Sequence, residues 1–432
     1  MFCMDSSELA DVIKRENISW VQVHFTDLIG RLRVLYVQSD QFLNGYWQDG
    51  VGFDGSSVGM AEVERSDMVA KPDLSTFMVL PHEEDEARVI ANIFGADGKP
   101  CGADPRLILQ RSIDRVCAAG FDRLVFSPEM EFYVIDAADE VENESIEHQG
   151  YCAPSSQDGV KGYRKQLSEL LMGSGYEVKY HHHEKGRMQH EVEVQGMDVL
   201  AAADYCVFFK YLAQEVARWF ELMVTFMPKP FSDDAGSGMH AHVLFERDGR
   251  NMFFDADDPY FLSETARYFI GGVLEHARGM AAIANPTLNS YKRFIPHFEA
   301  PVFVSWARFN RSSLIRIPAR RNVDVEIRNA DPAANPYLLF AAILAAGLDG
   351  IKHKIVVDAV EKNFYDLEEG DAGVLKLPTD LKTALEELES DSVISDALGG
   401  EAVRLFVEKK KREWEQYMVE TTDLEYKLYF NC

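Results

Sequence analysis

Cysteine is sparse in this chain of 432 residues, and the cysteines present lie far apart in the sequence. There are six, and no two of them form a C-x-x-C pair. A disulfide framework needs closely spaced cysteines, so the pattern predicts reduced thiols in a cytosolic protein. None is a good candidate nucleophile. The six are Cys3, Cys101, Cys117, Cys152, Cys206 and Cys432.

Long apolar runs are also missing. The longest one covers residues 338–348, which is far short of the roughly 20 residues that a membrane-spanning helix needs. The chain begins Met-Phe-Cys-Met-Asp-Ser-Ser-Glu, without the basic region and apolar core of a signal peptide. We therefore predict a cytoplasmic protein with no membrane partner.

Positive charge is in short supply. There are 44 Lys and Arg against 71 Asp and Glu, which gives a formal net charge of −27 at pH 7. Binding to nucleic acid needs clustered Lys and Arg, so nucleic acid is not an expected partner. The chain also lacks a G-x-x-x-x-G-K-[ST] loop and a G-x-G-x-x-G loop after a strand. Nucleotide binding of the P-loop or Rossmann kind is therefore excluded.

What is present is the composition of a globular protein, with 47% hydrophobic and 27% charged residues and a length that suits two domains. Residues 95–105 are rich in Gly, Asp and Pro. Asp104 is then a predicted N-cap, followed by Pro at the first helical position of an amphipathic helix that runs to residue 118. We predict a small N-terminal domain over residues 1–103 and a larger domain over residues 104–432.

Hydrophobic periodicity predicts the elements of both domains. In the small domain a helix at 6–16 precedes a hairpin of strands 19–25 and 31–37. In the larger domain an apolar strand is predicted at 124–135. Predicted helices of the larger domain, besides the first, cover residues 163–172, 205–223 and 336–351.

Paired carboxylates interrupt the predicted strand at 124–135. Glu129 and Glu131 are two positions apart, so their side chains point to the same face of the strand. The flanking residues are apolar, which favours a buried face over an exposed strand edge. Burying two like charges side by side is costly unless a cation lies between them. The pair therefore indicates a metal site.

Other stretches repeat this pattern with weaker specificity. Glu184 follows three histidines and lies seven residues before Glu191, in a cluster that suits either a surface loop or a site. For those three histidines, a packed or solvated imidazole is the better interpretation. His240 and His242 follow the glycine loop 236–238, and Glu326 precedes an arginine by two positions. Oxygen-rich ligation with one imidazole per site suits Mg²⁺ or Mn²⁺ better than zinc.

Four arginines lie among apolar segments of this acidic chain. Guanidinium groups hold planar anions bidentately, and metal ions neutralise phosphate oxygens. Two metal ions with several arginines therefore predict an enzyme that handles phosphoryl groups. The four are Arg293, Arg311, Arg316 and Arg328.

Nearly the whole chain resembles glutamine synthetase of the bacterial and archaeal type. The motif Gly236-Ser-Gly-Met-His240 and the motif that begins Asn285-Pro-Thr are highly specific. Further motifs occur in the family's order: Phe53-Asp-Gly-Ser-Ser57, Glu129-Met-Glu131, Gln189-His-Glu191, Glu299-Ala-Pro301, Asn310-Arg-Ser312, Ile315-Arg-Ile-Pro318 and Asp331-Pro-Ala-Ala-Asn-Pro-Tyr337.

The resemblance implies an α+β fold with an N-terminal β-grasp-like domain and a catalytic domain built on a curved antiparallel sheet, a half-barrel, flanked by helices. It implies ATP-dependent ligation of ammonia to the γ-carboxylate of glutamate through γ-glutamyl phosphate. Two or more Mg²⁺ or Mn²⁺ ions would bind per subunit. Glu131, Glu184 and Glu191 would hold the first metal, and Glu129, His240 and Glu326 the second.

The same resemblance implies roles for the remaining residues. Gly236, Arg293 and Arg328 would bind glutamate, and Tyr151 would line the ammonium pocket. Arg311, Arg316 and Arg328 would hold the ATP phosphates and the transferred phosphoryl group, and His242 would face those phosphates. Asp54 would deprotonate ammonium, and Glu299, on a flap, would take the later proton. The family assembles as a double ring with active sites between subunits, so a dodecamer is expected in which Asp54 acts in a neighbour's site.

Several positions depart from the family pattern, among them Met188 in place of a Gly, and three of them concern the substrate and nucleotide sites. Ala235 replaces an Asn before the glycine loop, Leu244 replaces a Ser, and Asp324 replaces an Arg. These changes keep two alternatives open. One is a γ-glutamyl ligase that uses an amine or polyamine, and the other is a catalytically silent relative with a binding or regulatory function.

Overall fold

A computed structural model describes residues 6–136, 150–156, 158–294, 300–319, 323–366 and 374–432. Its first part contains a five-stranded sheet with the order β2-β1-β5-β4-β3. The elements are α1 Ser6–Arg15, β1 Trp20–Thr26, β2 Leu32–Gln38, α2 Ser39–Gln41, α3 Trp47–Asp49, β3 Val51–Asp54, β4 Asp67–Val79 and β5 Glu86–Gly95, with a π-helical segment Phe42–Tyr46 between α2 and α3.

The hairpin predicted in this part is confirmed. Strands β1 and β2 pair antiparallel from Trp20 opposite Gln38 to Thr26 opposite Leu32. The turn between them is held by Asp27, whose Oδ1 accepts from the backbone N–H of Arg31 at 2.9 Å. Leu9 and Ile13 of α1 are four residues apart, so they lie on one helix face, and both are buried in the core of this unit.

The second part is built on a ten-stranded sheet whose main path is β13-β14-β15-β11-β6-β8-β7. Strands β9 and β10 pair with β6, and β12 pairs with β11. The strands are β6 Arg123–Asp136, β7 Val178–His183, β8 Gln189–Val194, β9 Met197–Asp198, β10 Leu222–Thr225, β11 Met239–Arg247, β12 Arg250–Asn251, β13 Trp306–Arg308, β14 Ile315–Ile317 and β15 Val325–Ile327.

The helices of the second part pack against this sheet and against one another. The apolar helix α9 is almost entirely buried and contacts α4, α6 and α7. The helices are α4 Pro105–Ala118, α5 Lys161–Gly173, α6 Val199–Trp219, α7 Glu264–Glu275, α8 Ala277–Ala284, α9 Pro336–His353, α10 Leu381–Ser390, α11 Ser392–Leu398, α12 Gly400–Val419 and α13 Asp423–Tyr429.

The predicted α+β fold class is confirmed, with two local corrections. The large sheet is mixed, because β13 and β14 pair in parallel. The helix predicted at 205–223 begins earlier, at Val199, and ends at Trp219. Glu221 has a φ of 59°, which stops the helix. Residues Leu222–Thr225 then pair with β6 as a strand.

A buried guanidinium links the small sheet to the helices of the second part. Arg106, in the first turn of α4, donates to both carboxylate oxygens of Asp204 in α6 at 3.0 and 3.1 Å. It also donates to Asp73 of β4 at 3.0 Å and to Asn92 of β5 at 2.9 Å. The Tyr337 hydroxyl completes the network with a 2.7 Å bond to Asp204.

Among the described helices, none combines the length and the apolar character that a membrane span needs.

Candidate active site

Strand register brings the paired carboxylates together on one face of the large sheet. Glu131 of β6 lies opposite Glu191 of β8, and Glu191 lies opposite His182 of β7. Two residues back along β6, Glu129 lies opposite Glu193 on one side and His240 of β11 on the other. Each of these two sets of facing residues forms a row across the strands. The two rows share a face because alternate residues of a strand point the same way.

A third row continues the same face. His242 of β11 lies opposite Glu326 of β15, and Glu326 lies opposite Arg316 of β14. A cavity of about 440 Å³ opens over these rows. Its lining includes most of the residues predicted from the sequence: Glu129, Glu131, Tyr151, Glu184, Glu191, Gly236, His240, Arg293, Arg311, Arg316 and Arg328.

One group of possible metal ligands matches a predicted set. Donor atoms of Glu129, His240 and Glu326 all lie within 4.8 Å of one another. His240 Nδ1 is 3.3 Å from Glu129 Oε2 and 3.7 Å from Glu326 Oε1. Two carboxylates and one imidazole on buried strands can hold a divalent cation, so these residues fit the second metal of the prediction.

A second group differs from the predicted one. Donor atoms of His182, Glu184 and Glu191 lie within 4.8 Å of one another. Glu131, predicted for this set, is not in that group. Its Oε2 instead accepts from the backbone N–H of Gly238 at 2.7 Å and from Gln189 Nε2 at 2.9 Å. A third group, of Glu129, Glu191 and Glu193, shares two residues with the others.

Sequence reasoning missed His182 because it gave the three histidines a packing role. The usable signal was the spacing of two residues, which places side chains on the same face of a strand. His182 and Glu184 are two residues apart at the end of a strand, as Glu129 and Glu131 are in β6. The register that sets His182 opposite Glu191 was not readable from the sequence.

The carboxylates near His182 resist ionisation. Burial, together with the charge of Glu184, raises the pKa of Glu131 to about 8. Burial and the neighbouring carboxylates Glu129 and Glu131 raise the pKa of Glu191 well above its usual range. Like charges at this spacing ionise together only when a cation neutralises them, so the donor set fits bound metal.

His242, in the third row of this face, joins two carboxylates. Its Nε2 is 2.7 Å from Glu129 Oε1, and its Nδ1 is 3.1 Å from Asp324 Oδ1. Burial lowers the pKa of His242, but the two carboxylates raise it overall to about 10. The resulting imidazolium holds the pKa of Glu129 well below its usual value, against the effect of burial. Both ring nitrogens thus contact carboxylates of this chain.

A second cavity, of about 430 Å³, adjoins the first. His242, Leu244 and Asp324 line it, and Tyr180 and Glu193 line both cavities. Leu244 and Asp324, two of the departures from the family pattern, therefore line one cavity. Another, Ala235, is buried beside the glycine loop, where its carbonyl accepts from the Tyr133 hydroxyl at 2.7 Å.

Two buried arginines carry N–H groups that lack a hydrogen-bond partner in the described residues. Arg328 Nε donates to Glu326 Oε1 at 3.1 Å, but its Nη1 is unsatisfied. Arg293 Nη1 donates to the carbonyls of Asn329 and Ala330 at 3.1 and 3.3 Å, and its Nε is unsatisfied. Both side chains line the cavity, and a guanidinium group there suits an anionic ligand. Arg316 Nε also donates to Glu326, whose other carboxylate oxygen, Oε2, accepts the bond.

The glycine loop can approach Arg293 because it has no side chains at two positions. A Cβ at Gly236 would lie 2.6 Å from Arg293 Cγ, and one at Gly238 would lie 2.7 Å from His240 Nε2. The lack of a Cβ at Gly236 and at Gly238 therefore leaves room for the side chains of Arg293 and of His240, a candidate metal ligand.

Among the described residues, Asp54 is a predicted site residue that the structure does not bring into this cavity. Asp54 is exposed at the end of β3, an edge strand of the small sheet, and it is absent from the described residues that line the cavity. Its Oδ1 accepts from the backbone and hydroxyl of Ser56 at 2.9 and 2.7 Å. Hydrogen bonds from Ser57 and Ser56 lower the pKa of Asp54, so it is a carboxylate at neutral pH. Glu299 lies outside the described residues.

Comparison with known proteins decides the family. The family model "Glutamine synthetase, catalytic domain" matches residues 102–429, and "Glutamine synthetase, beta-Grasp domain" matches residues 17–96. The chain belongs to the glutamine synthetase family. Glutamine synthetase of Thermotoga maritima is 42% identical over 430 residues, which cover 97% of this chain and 98% of that protein. Glutamine synthetase of Thermus thermophilus is 38% identical over 429 residues, 96% of each chain.

Solved structures agree with this assignment. The GmaS/ADP complex in conformation 1 has a TM-score of 0.91 and 30% identity, covering 99% of this chain and all of that one. The cryo-EM structure of Plasmodium falciparum glutamine synthetase has a TM-score of 0.89 over 98% of each chain, and its 23% identity supports the fold alone. The predicted family and fold are confirmed. So is the predicted activity, an ATP-dependent glutamate–ammonia ligase that forms glutamine.

Proposed function

We propose that the cavity over the large sheet is the ligase active site, with the carboxylate–imidazole groups holding two divalent cations. The observation that carries this proposal is that one cavity is lined by members of both ligand groups and by the side chains of Arg293 and Arg328. Cation sites beside buried guanidinium groups suit a reaction in which a phosphoryl group moves between two anions.

The reaction proceeds in two steps. The γ-phosphoryl group of ATP passes to an oxygen of the glutamate γ-carboxylate, which gives γ-glutamyl phosphate and ADP. Ammonia then attacks the acyl carbon, and phosphate leaves as the amide forms. Bound Mg²⁺ or Mn²⁺ would neutralise phosphate oxygens and orient them for transfer. Arg293, fixed by the Asn329 and Ala330 carbonyls, holds the α-carboxylate of glutamate beside the glycine loop.

The arginines toward β14 and β15 act on the phosphoryl group. Arg316 and Arg328 donate to opposite oxygens of Glu326, which fixes both guanidinium groups at the cavity wall. Both guanidinium groups can then act on the transferring group, and Arg311 lines the same cavity. Positive charge fixed in this way stabilises the phosphoryl oxygens without reorganisation during transfer.

The nucleotide belongs in the adjoining cavity of about 430 Å³. His242 lines this cavity and also contacts Glu129, so it can lie between the metal site and the ATP phosphates. Lys179 and Arg123 line the same cavity as Asp324 and supply positive charge to it. Leu244 and Asp324 are then residues that tune nucleotide affinity.

The part of the site that binds ammonium requires a second copy of the chain. Asp54 ends an exposed edge strand, as a residue that serves a neighbouring subunit would. We therefore assign Asp54 to ammonium deprotonation in a neighbour's cavity, next to Tyr151, within a double-ring dodecamer. With the domain boundary that we propose at 103/104, each subunit has one small and one large domain. The small domain of one subunit would then contact the large domain of its neighbour.

The deciding experiment supplies the protein with ATP, Mg²⁺ and glutamate, together with ammonium or one of several amines, and identifies the amide by mass while phosphate is followed. Preferential formation of glutamine supports the proposal. Preferential formation of a γ-glutamyl amine would replace ammonium with an amine as the substrate. ATP binding without product from any acceptor would support the silent relative.

Subunit sharing is tested with two inactive variants, Asp54→Ala and Arg293→Ala, dissociated and reassembled together. Mixed assemblies contain some cavities with both residues intact only if Asp54 comes from a neighbour. Recovered activity is expected, and its absence in verified mixed assemblies would contradict the shared site.

A further inference from the structure

A cavity with a positively charged lining lies where the β1–β2 hairpin meets the second part of the chain. It measures about 800 Å³, and none of the described residues that line it also lines either cavity over the large sheet. Its walls come from that hairpin and from α6, β10 and α12. Ligand pockets in proteins commonly measure roughly 300–1,000 Å³, so a metabolite fits this space.

The charge of this lining is opposite in sign to that of the whole protein. Arg31, Lys210 and Lys410 are the cationic side chains that line the cavity, and Glu413 is the carboxylate. Three positive charges against one negative charge leave an excess of two, although the chain has a formal net charge of −27. A concave surface of one sign concentrates ions of the other sign, so this cavity favours an anion with two charges.

Two of the three cations lack a counter-ion among the described residues. Lys410 Nζ pairs with both carboxylate oxygens of Glu413, at 2.9 and 3.1 Å. Arg31 and Lys210, by contrast, form no ion pair within the described part of the chain. Lys210 Nζ donates to the carbonyl oxygen of Pro332, and burial lowers the pKa of Lys210 to about 8. A bound anion would stabilise such a partly buried ammonium group.

The rest of the lining is mostly apolar. The hairpin contributes Leu32 and Val34, and β10 contributes Val224 and Phe226. The centre of the Phe226 ring lies 6.0 Å from Lys210 Nζ, so apolar and cationic groups adjoin one another. A carbon skeleton against this wall would bury apolar surface, at about 25 cal/mol per Å². An inorganic ion would gain nothing from the wall.

We propose that this cavity binds a small organic dianion, with its carboxylate or phosphate groups at Arg31 and Lys210 and its carbon skeleton against the apolar side chains of β2 and β10. The Arg31 guanidinium can bind an acid group through two parallel hydrogen bonds, and Lys210 adds a point charge. The proposal is independent of the proposed ligase chemistry, because none of the described residues that line this cavity has a role in that chemistry.

The first test locates a probe directly. 4-Iodophenyl phosphate has an apolar ring and is a dianion at pH 8, because the second pKa of a phosphate monoester is about 6. In crystals of the unaltered protein grown with this probe, the anomalous scattering of iodine marks the ring. We expect an iodine peak beside Phe226, with the phosphate group at Arg31. Iodine only in the cavities over the large sheet, only elsewhere on the surface, or nowhere would overturn the proposal.

The second test measures affinity in solution by calorimetry. Arg31→Gln and Lys210→Met should each weaken binding of 4-iodophenyl phosphate by about tenfold or more, because each removes a charged hydrogen-bond donor. The matched control Lys165→Met removes an exposed lysine of α5, which pairs with Glu169 at 3.5 Å, and should keep the wild-type affinity. Arg31 is exposed, so Arg31→Gln tests the proposal even if Lys210→Met destabilises the fold. Unchanged affinity in Arg31→Gln would overturn the proposal.

Two further probes separate the contribution of charge from that of the apolar wall. 4-Iodophenol lacks the phosphate group, and inorganic phosphate lacks the ring. Each should bind to the unaltered protein at least about tenfold more weakly than 4-iodophenyl phosphate. Equal affinity for inorganic phosphate would reveal a plain ion site and refute an organic ligand. Equal affinity for 4-iodophenol would reveal an apolar pocket in which the cations take no part, which would also refute the proposal.

Discussion

Adding one methyl group at Gly236 should selectively weaken glutamate binding. The new Cβ of Gly236→Ala would lie 2.6 Å from Arg293 Cγ and 3.0 Å from the Pro228 carbonyl oxygen. Carbon atoms in contact prefer a separation of about 3.5–4.0 Å, so the overlap with Cγ is roughly 1 Å. Cγ is near the backbone, and the guanidinium is held by two carbonyls. The side chain must therefore shift as a unit.

The size of the effect follows from that displacement. A misplacement of about 1 Å in a positioned group can cost about 100-fold in rate, and one order of magnitude corresponds to about 1.4 kcal/mol. We expect kcat/KM for glutamate to fall by about 10-fold to 100-fold, mostly through KM. The KM for ATP and the affinity for Mn²⁺ should change little, because neither ligand group contains Arg293.

The assay is steady-state glutamine formation with varied glutamate, with calorimetric titration of Mn²⁺ on the same samples. Gly159→Ala is the matched control, since a Cβ there meets no atom within 4 Å. An unchanged KM for glutamate in Gly236→Ala would refute the role given to Arg293. Equal losses in Mn²⁺ affinity and in glutamate affinity would show a general collapse of the site.

Three further predictions concern charge. Because the pKa of Glu131 is raised to about 8, Mn²⁺ affinity should increase from pH 6.5 to 8.5 with release of protons; calorimetry in two buffers of different ionisation enthalpy measures this, and Glu131→Gln should reduce the release. Asp54→Ala should spare glutamate-dependent phosphoryl transfer and weaken ammonium use, whereas Glu131→Ala should abolish both; equal losses in the two assays would contradict these roles. Burial lowers the pKa of His276, but Asp391 at 2.8 Å and Asp349 at 3.2 Å raise it overall. The protonated contact stabilises the fold below the unfolded pKa of about 6.5 and is lost as pH rises through the higher folded pKa. His276→Gln should therefore lower the melting temperature more at pH 6 than at pH 9, and a pH-independent shift would count against the ion pair.

Local patterns in the sequence predicted most elements, because their causes are local. Asp104 with the following proline predicted the start of α4, and the structure shows the Asp104 side chain capping that helix. Apolar alternation around Glu129 and Glu131 predicted β6 and the face that carries the ligands. The helix predicted to reach residue 223 was wrong, since Leu222–Thr225 pairs with a strand more than 80 residues earlier. Tertiary pairing overrides helix propensity at such a segment.

The identity of the ligand candidates was only partly predictable. Residue types identified Glu129, His240 and Glu326, which the structure brings together. The sequence did not distinguish His182 from the other histidines of its triplet, and the resemblance assigned its place to Glu131. The choice depends on which residues face each other across β6, β8 and β7. A shift of one residue in that register would turn every side chain of a strand to the other face.

The family, the α+β class, the oxygen-rich chemistry and the acidic charge could be predicted from the sequence, because they follow from residue type, spacing and motifs. The meeting of the groups could not: His182 lies beside Glu184 and Glu191, His242 between Glu129 and Asp324, and Asp54 at an exposed edge. Donor distances and burial arise from strands far apart in the chain, and the packing of the whole core sets how those strands pair.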